Sequence, residues 1–247
     1  MKRFWVSLLT VLTYALALYL PSFIIKTSFF QQYEGMELAK MSIYVQLVLF
    51  LIAAIIIILI NLRIKDPTQL EMGPKEPRRY VVPWALAGFA IVMVYQVIVS
   101  LIYTQIFGQQ QMSPNTERLM MIAKKIPVFI IFISIVGPLL EEFVFRKVIF
   151  GEIYNAIKGN RVVSFLIATT VSSLIFALAH QDFKFIPIYF GMGIVFSLAY
   201  VWTKRLSVPI IIHMLQNGIV VIFQLIGADR LQKMQEQANV ILHLIFH

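Results

Sequence analysis

The stretch IPVFIIFISIVGPLLEEFVFRKVIF, residues 126–150, is apolar enough to live in lipid, except that Glu141 and Glu142 sit side by side with Arg146 about one turn behind. An ionised side chain at the centre of a membrane helix costs about 2.5–3.5 kcal/mol on insertion scales, and adjacent carboxylates also repel one another. Such residues persist in a span only where something compensates them. The reading of the chain therefore turns on what surrounds this segment.

Six more apolar runs flank it: Phe4 to Ile25, Met41 to Leu62, Val81 to Phe107, Val162 to His180, Phe185 to Trp202 and Val208 to Ile226. Each approaches the ~20 residues that a helix needs to cross hydrocarbon. The 247 residues are 60% hydrophobic and 13% charged, with a mean hydropathy of +0.82, which excludes an ordinary soluble domain. The expected fold is all-α, a polytopic transmembrane bundle of about seven spans. Beyond the last run, Leu231, Met234, Ile241 and Ile245 recur near helical spacing and predict an interfacial amphipathic C-terminal helix. Met1-Lys2-Arg3 and Ala15-Leu16-Ala17 faintly resemble a signal peptide, but apolar sequence continues to Ile25, so an uncleaved first span is expected.

The net charge of +9 would suggest nucleic acid in a soluble protein. Here the basic residues fall mainly between the apolar runs, so the excess reads as membrane topology and no nucleic-acid partner is expected. A cytoplasmic N-terminus puts 13 of the 21 Lys and Arg inside and 8 outside, the orientation that the positive-inside rule favours. The expected location is a cell membrane, bacterial and cytoplasmic, with lipid as the first partner.

Two polar segments organise the chain. Arg63 to Tyr80, with Pro67, Gly73, Pro74 and Pro77, reads as a cytoplasmic loop at 63–80, and Gly108 to Lys125 separates nearly uncharged spans from the polar-marked ones. The expected division is an N-terminal three-span region 1–125, a catalytic core 126–226 and an amphipathic tail 227–247. Gly193 and Ser197 form a small-xxx-small pair, read as helix packing.

Three constellations fall in 126–226. At about 100° per residue, Glu142 and Arg146 share a helix face and can pair, which leaves Glu141 free to take a proton from water. Gly137-Pro138 just upstream weakens the helix and frees carbonyls near the acids. His180 ends the fifth run one turn after Phe176, and His213 shares a face with Asn217 on the seventh. Each has a bland reading: a clamped acid pair at a span end, an interfacial histidine, an interhelical hydrogen bond. Their coincidence points to a site, because only His180 and His213 lie outside the tail among four histidines.

The chemistry is narrowed by what is missing. There is no cysteine, no His-Glu-x-x-His, no Gly-x-Ser-x-Gly, and the three aspartates Asp66, Asp182 and Asp229 lie outside the runs. Glu, His and Asn remain. They suit amide hydrolysis with Glu141 as general base, His180 orienting the water, and His213 with Asn217 stabilising the oxyanion. The other use of the same donors is a divalent metal such as zinc, held by His180, His213 and Glu141.

The ordered motifs Glu-Glu-x-x-x-Arg, Phe-x-x-x-His and His-x-x-x-Asn resemble those of the CAAX protease and bacteriocin-processing family of intramembrane proteases, also called CPBP or Abi, over roughly residues 126 to 226. The resemblance implies that Glu141 is the essential base, Glu142 and Arg146 its partners, His180 a second catalytic position, and His213 with Asn217 the oxyanion or ligand pair. Metal use stays open. Prenylated CAAX proteins are the family's eukaryotic substrates, whereas the bacterial resemblance implies a membrane-associated peptide or protein, such as a quorum-sensing precursor or bacteriocin leader.

Two rival classes would use the same bundle. A transporter or proton relay would bury Glu, His and Arg, yet neither inverted repeats nor paired broken helices are visible. A non-catalytic scaffold would act on a membrane partner protein and tolerate loss of the three motifs. Straight, cytoplasm-first helices also set a geometric difficulty, placing Glu141 and His213 near the cytoplasmic side and His180 at the far end of its span.

Overall fold

The computed structural model describes the backbone of residues 1–108 and 113–246, and the side chains of residues 1–108 and 113–227. The described backbone is helical, without strands. Helix α1 is Arg3–Tyr19, α2 is Gly35–Leu62, α3 is Val81–Phe107 and α4 is the short polar Pro114–Lys125. A continuous helical run over 129–156 forms α5, followed by α6, Arg161–Ala179, α7, Ile186–Thr203, and α8, Ser207–Phe246.

Of the seven apolar runs, five fold as helices long and apolar enough to cross a membrane, namely α2, α3, α6, α7 and the first half of α8. Their outward faces are apolar, with Leu51, Ile55, Val94, Leu101, Val162 and Trp202 all exposed, so the solvent they suit is lipid. The other two runs differ from simple spans. The first stops at Tyr19 as a 17-residue helix, and Pro21 begins a separate turn, Pro21–Ile24, because proline cannot donate into the preceding helix. The fourth is α5, which leaves α-helical winding twice: π turns Phe132–Val136 and Phe143–Phe150 bracket the α-helical Gly137–Glu142. Helix α8 runs unbroken to Phe246, and the amphipathic face expected of the tail falls on side chains outside the described residues.

Local chemistry sets the ends. Ser113 caps α4 ahead of Pro114, Asn160 accepts from the Val162 and Val163 amides to start α6, and Thr68 with Glu71 closes a capping box in the 63–80 loop. Gln181 takes the left-handed conformation, φ 54°, after which one 3₁₀ turn, Phe183–Phe185, leads into α7. The turn between α6 and α7 is thus short. Gly193 lets the two helices touch, because a Cβ there would lie 2.6 Å from Ser173 Oγ. Together with the buried Ser197, it serves packing within the chain, as its spacing suggested.

The end of the bundle that carries the N-terminus is knitted shut. Arg3 pairs with Glu152 at 3.1 Å, Lys147 with Glu71 at 2.5 Å, and the Glu76 amide donates to the Thr203 carbonyl at 3.0 Å. The 63–80 loop therefore lies across that end as part of the fold. Among the described residues, the opposite end holds a cavity instead.

Candidate active site

That cavity, of about 990 Å³, is walled by the late part of α1, the middle of α2, the late part of α3, α4, the first half of α5, the α6–α7 turn with the start of α7, and α8 around His213 to Gln224. Glu141, His180, His213 and Asn217 all line it, and Glu142 and Arg146 stand buried behind it. All six residues singled out in the sequence thus meet in one region.

The difficulty with straight helices dissolves for two reasons. Helix α5 continues to Ala156, so Glu141 sits near its middle and not at its cytoplasmic end. The His180 ring folds back over its own last turn: Nδ1 lies 2.7 Å from the Phe176 carbonyl, and the ring packs edge-on to Phe176 at 4.6 Å. Phe176 in turn packs edge-on to His213 at 5.7 Å, so one phenyl ring spaces the two imidazoles.

Proton positions follow from the partners. A carbonyl can only accept, so His180 carries its hydrogen on Nδ1, which leaves Nε2 as a lone pair. A carboxylate also accepts, so His213 Nδ1 donates to Glu142 Oε1 at 2.9 Å, and its Nε2 faces Glu141 Oε2 at 3.8 Å. That separation is too long for a direct hydrogen bond. Among the described residues the Glu141 carboxylate has no hydrogen-bond partner and is part-exposed to the cavity.

Glu142 and Arg146 form the pair that the spacing predicted, with Nε to Oε2 at 3.2 Å and both side chains fully buried. The contact is a charge pair without hydrogen-bond alignment, and neither Nη finds an acceptor. Aromatic faces take that place: the guanidinium lies 4.4 Å from the Phe176 ring centre and 5.0 Å from that of Phe196. Phe196 also stacks on His213 at 5.0 Å, and Tyr189 stacks on His180 at 4.0 Å. Phe196 and Tyr189 were not foreseen, because an aromatic in an apolar run carries no sequence mark of what it stacks on.

The winding of α5 explains Asn217. In the first π turn the Gly137 amide donates five residues back, to Phe132, and the next donor due, to Ile133, would be Pro138, which has no N–H. The Ile133 carbonyl is thereby orphaned, and Asn217 Nδ2 donates to it at 3.0 Å from α8. One Nδ2 hydrogen remains.

Both imidazoles have Nδ1 anchored by a hydrogen bond and Nε2 turned away from it, the way in which metal-ligating histidines are oriented. Among the described residues, however, no three His, Asp or Glu side chains converge as a metal site. The donor types fit a metal and their arrangement does not, so no step is derived through one.

A lipid-facing helical bundle that brings a carboxylate and two imidazoles to one cavity is that of a membrane-embedded enzyme. Comparison with known proteins agrees. The chain is 69% identical over 244 residues, 99% of each chain, to the membrane-embedded CAAX protease MroQ of Staphylococcus aureus (strain USA300). It is 39% identical over 178 residues, 72% of this chain and 70% of the relative, to the putative membrane peptidase YdiL of Bacillus subtilis (strain 168). Residues 123–219 match the family described as type II CAAX prenyl endopeptidase Rce1-like. No solved structure matches. The chain belongs to the Rce1-like CAAX protease family of multi-pass membrane proteases, as its three motifs suggested.

Proposed function

We infer that this protein is an intramembrane endopeptidase that hydrolyses a peptide bond in a membrane-associated peptide or protein, of the kind found in quorum-sensing precursors and bacteriocin leaders. The observation that carries the reading is His213, fixed through Nδ1 by Glu142 and turned through Nε2 toward the unbonded Glu141.

In this reading, water in the cavity gives one proton to Glu141 while its oxygen attacks the scissile carbonyl, with the His180 Nε2 lone pair accepting the second hydrogen and so orienting the water. His213, anchored through Nδ1 by Glu142, borders the Glu141 carboxylate at 3.8 Å and fixes where that base stands. The developing oxyanion is met by the Nδ2 hydrogen that Asn217 has left after bonding Ile133. Glu141 then passes its proton to the leaving nitrogen as the C–N bond breaks. The cavity's size is at the upper end of the roughly 300–1,000 Å³ usual for ligand sites, room enough for an extended segment. The N-terminal end, richer in Lys and Arg, is taken as cytoplasmic, in a bacterial cytoplasmic membrane. The cavity then opens on the outer side.

The test is mass spectrometry of candidate membrane peptides incubated with the purified protein in lipid nanodiscs, comparing wild type with Glu141→Ala and His180→Ala, each with and without a chelator. Cleavage by wild type alone supports the reading. Cleavage that stops with the chelator and returns with zinc would add a metal to it. Equal cleavage by all three proteins would sink it in favour of a contaminating activity, and cleavage by none beside a cellular phenotype that survives both substitutions would leave a scaffold.

A further inference from the structure

Deep in the same cavity, one helical turn past His213, Gln216 is 1% exposed and its carbonyl Oε1 has no hydrogen-bond donor. Its Nε2 donates to Gln96 Oε1 on α3 at 2.5 Å. Gln96 in turn directs its own Nε2 at the Met192 sulfur, 3.1 Å away, and a thioether is a weak acceptor. One buried and one half-buried primary amide thus spend one strong hydrogen bond on each other, leaving the Gln216 carbonyl as a spare acceptor and the Gln96 amide nitrogen as a spare donor. Exchanging oxygen and nitrogen in both side chains only swaps which residue holds which. Buried side-chain amides are nearly always paired, so a leftover acceptor and donor beside a reactive site call for a partner.

The spare acceptor and donor match what one residue of a peptide main chain offers, an N–H and a C=O. Both glutamines line the cavity together with Glu141 and His213, and Gln216 follows His213 by three positions, so it points from the same side of α8. We propose that Gln96 and Gln216 form a main-chain clamp that holds one residue of the extended substrate beside the scissile bond, accepting its amide hydrogen and donating to its carbonyl. The clamp reads backbone and not side chain. It therefore tolerates varied sequences but rejects proline or an N-methylated residue at the clamped position. The inference rests on the protease reading above and adds to it which residues select the substrate's conformation.

The test uses the full-length protein in nanodiscs and a pool of synthetic 20-residue membrane peptides read by mass spectrometry. The best-cleaved peptide is then remade with a single N-methyl group at each residue flanking the cleaved bond. In wild type, one position is expected to lower kcat/KM about tenfold or more, the scale of one lost hydrogen bond. In Gln216→Met that discrimination shrinks to within about twofold, and KM for the unmethylated peptide rises about tenfold while kcat holds within about threefold. The double variant Gln96→Met/Gln216→Met melts at or above the wild-type temperature, because replacing both partners by apolar groups of similar shape is close to neutral.

A flat N-methyl scan in a cleaving wild type, or a scan profile unchanged in Gln216→Met, overturns the clamp and leaves the protease reading standing. A double variant that melts lower with KM unchanged also overturns it, as the pair would then serve folding. A wild type that cleaves nothing in the pool overturns both.

Discussion

Glu142 Oε1 accepts from His213 Nδ1 at 2.9 Å while Oε2 of the same carboxylate lies 3.2 Å from Arg146 Nε, so a single buried anion links the guanidinium to the imidazole that faces the cavity. The link orients His213 without touching substrate. Removing an outer partner of this kind typically costs about 10–100-fold in activity. Glu142→Gln is therefore expected to lower kcat/KM by about that factor. Glu142→Ala leaves Arg146 as an uncompensated buried charge and should cost about 3–5 kcal/mol of stability. Peptide cleavage and thermal melting on the same preparations check the two halves separately.

Glu141 behaves differently, because among the described residues it bonds to nothing that the fold needs. Glu141→Gln is expected to melt with the wild type yet lose about 10²–10⁴ in kcat, the usual worth of a general base. A drop in melting temperature as large as that of Glu142→Ala would reverse the division of roles between the two acids.

The closed end supplies a pH dependence. Burial alone would raise the Glu71 carboxyl, but the Lys147 ammonium and the Thr68 bonds outweigh it, and its pKa lies below the ordinary carboxylate value of 4.5. A depressed folded-state pKa contributes stability that is present above the unfolded value and is lost as pH falls through the folded one. Wild type should therefore outlast Glu71→Gln near pH 7, and the advantage should vanish in acid, below the depressed value. Denaturation of both proteins across that range would show the two stabilities converging, and an advantage that persisted in acid would refute the assignment.

Much of this arrangement is legible in the sequence. The hydropathy runs marked the helices, and the i, i+4 rule gave the Glu142–Arg146 pair even though the backbone there passes into a π turn, because a four-residue spacing stays on one face in either winding. What stayed hidden depends on contacts between helices that leave no periodic trace. The Phe196 ring under Arg146, the Tyr189 ring on His180 and the Gln96–Gln216 pair each join residues far apart in sequence. His180 does close the far end of its helix, as expected, yet it lines one cavity with Glu141, because α5 runs on to Ala156 and so carries Glu141 near mid-helix.

Sidedness can be read directly, because the chain has no cysteine. Asn115 lines the open cavity, whereas Gln69 lies in the loop that closes the other end. In intact cells a membrane-impermeant maleimide should label Asn115→Cys and spare Gln69→Cys until the cells are broken. The reverse pattern would put the N-terminus outside and turn the cavity toward the cytoplasm.

The bond from Asn217 to the Ile133 carbonyl makes a prediction that a purely catalytic role for Asn217 does not. Asn217→Leu orphans a buried carbonyl and should cost about 1–3 kcal/mol of stability as well as activity. Pro138→Ala restores an N–H at the position from which the π turn would serve that same carbonyl, and so should recover part of the stability lost in Asn217→Leu. Because the two positions act on one acceptor, their effects should be non-additive by about 0.5–3 kcal/mol in a double-mutant cycle. Catalysis should not return with stability, since the double variant still lacks the Nδ2 hydrogen proposed to meet the oxyanion. Melting temperatures and kcat for the four proteins of the cycle separate the two roles: additive melting shifts would mean that Asn217 does not stand in for the hydrogen bond proline removes.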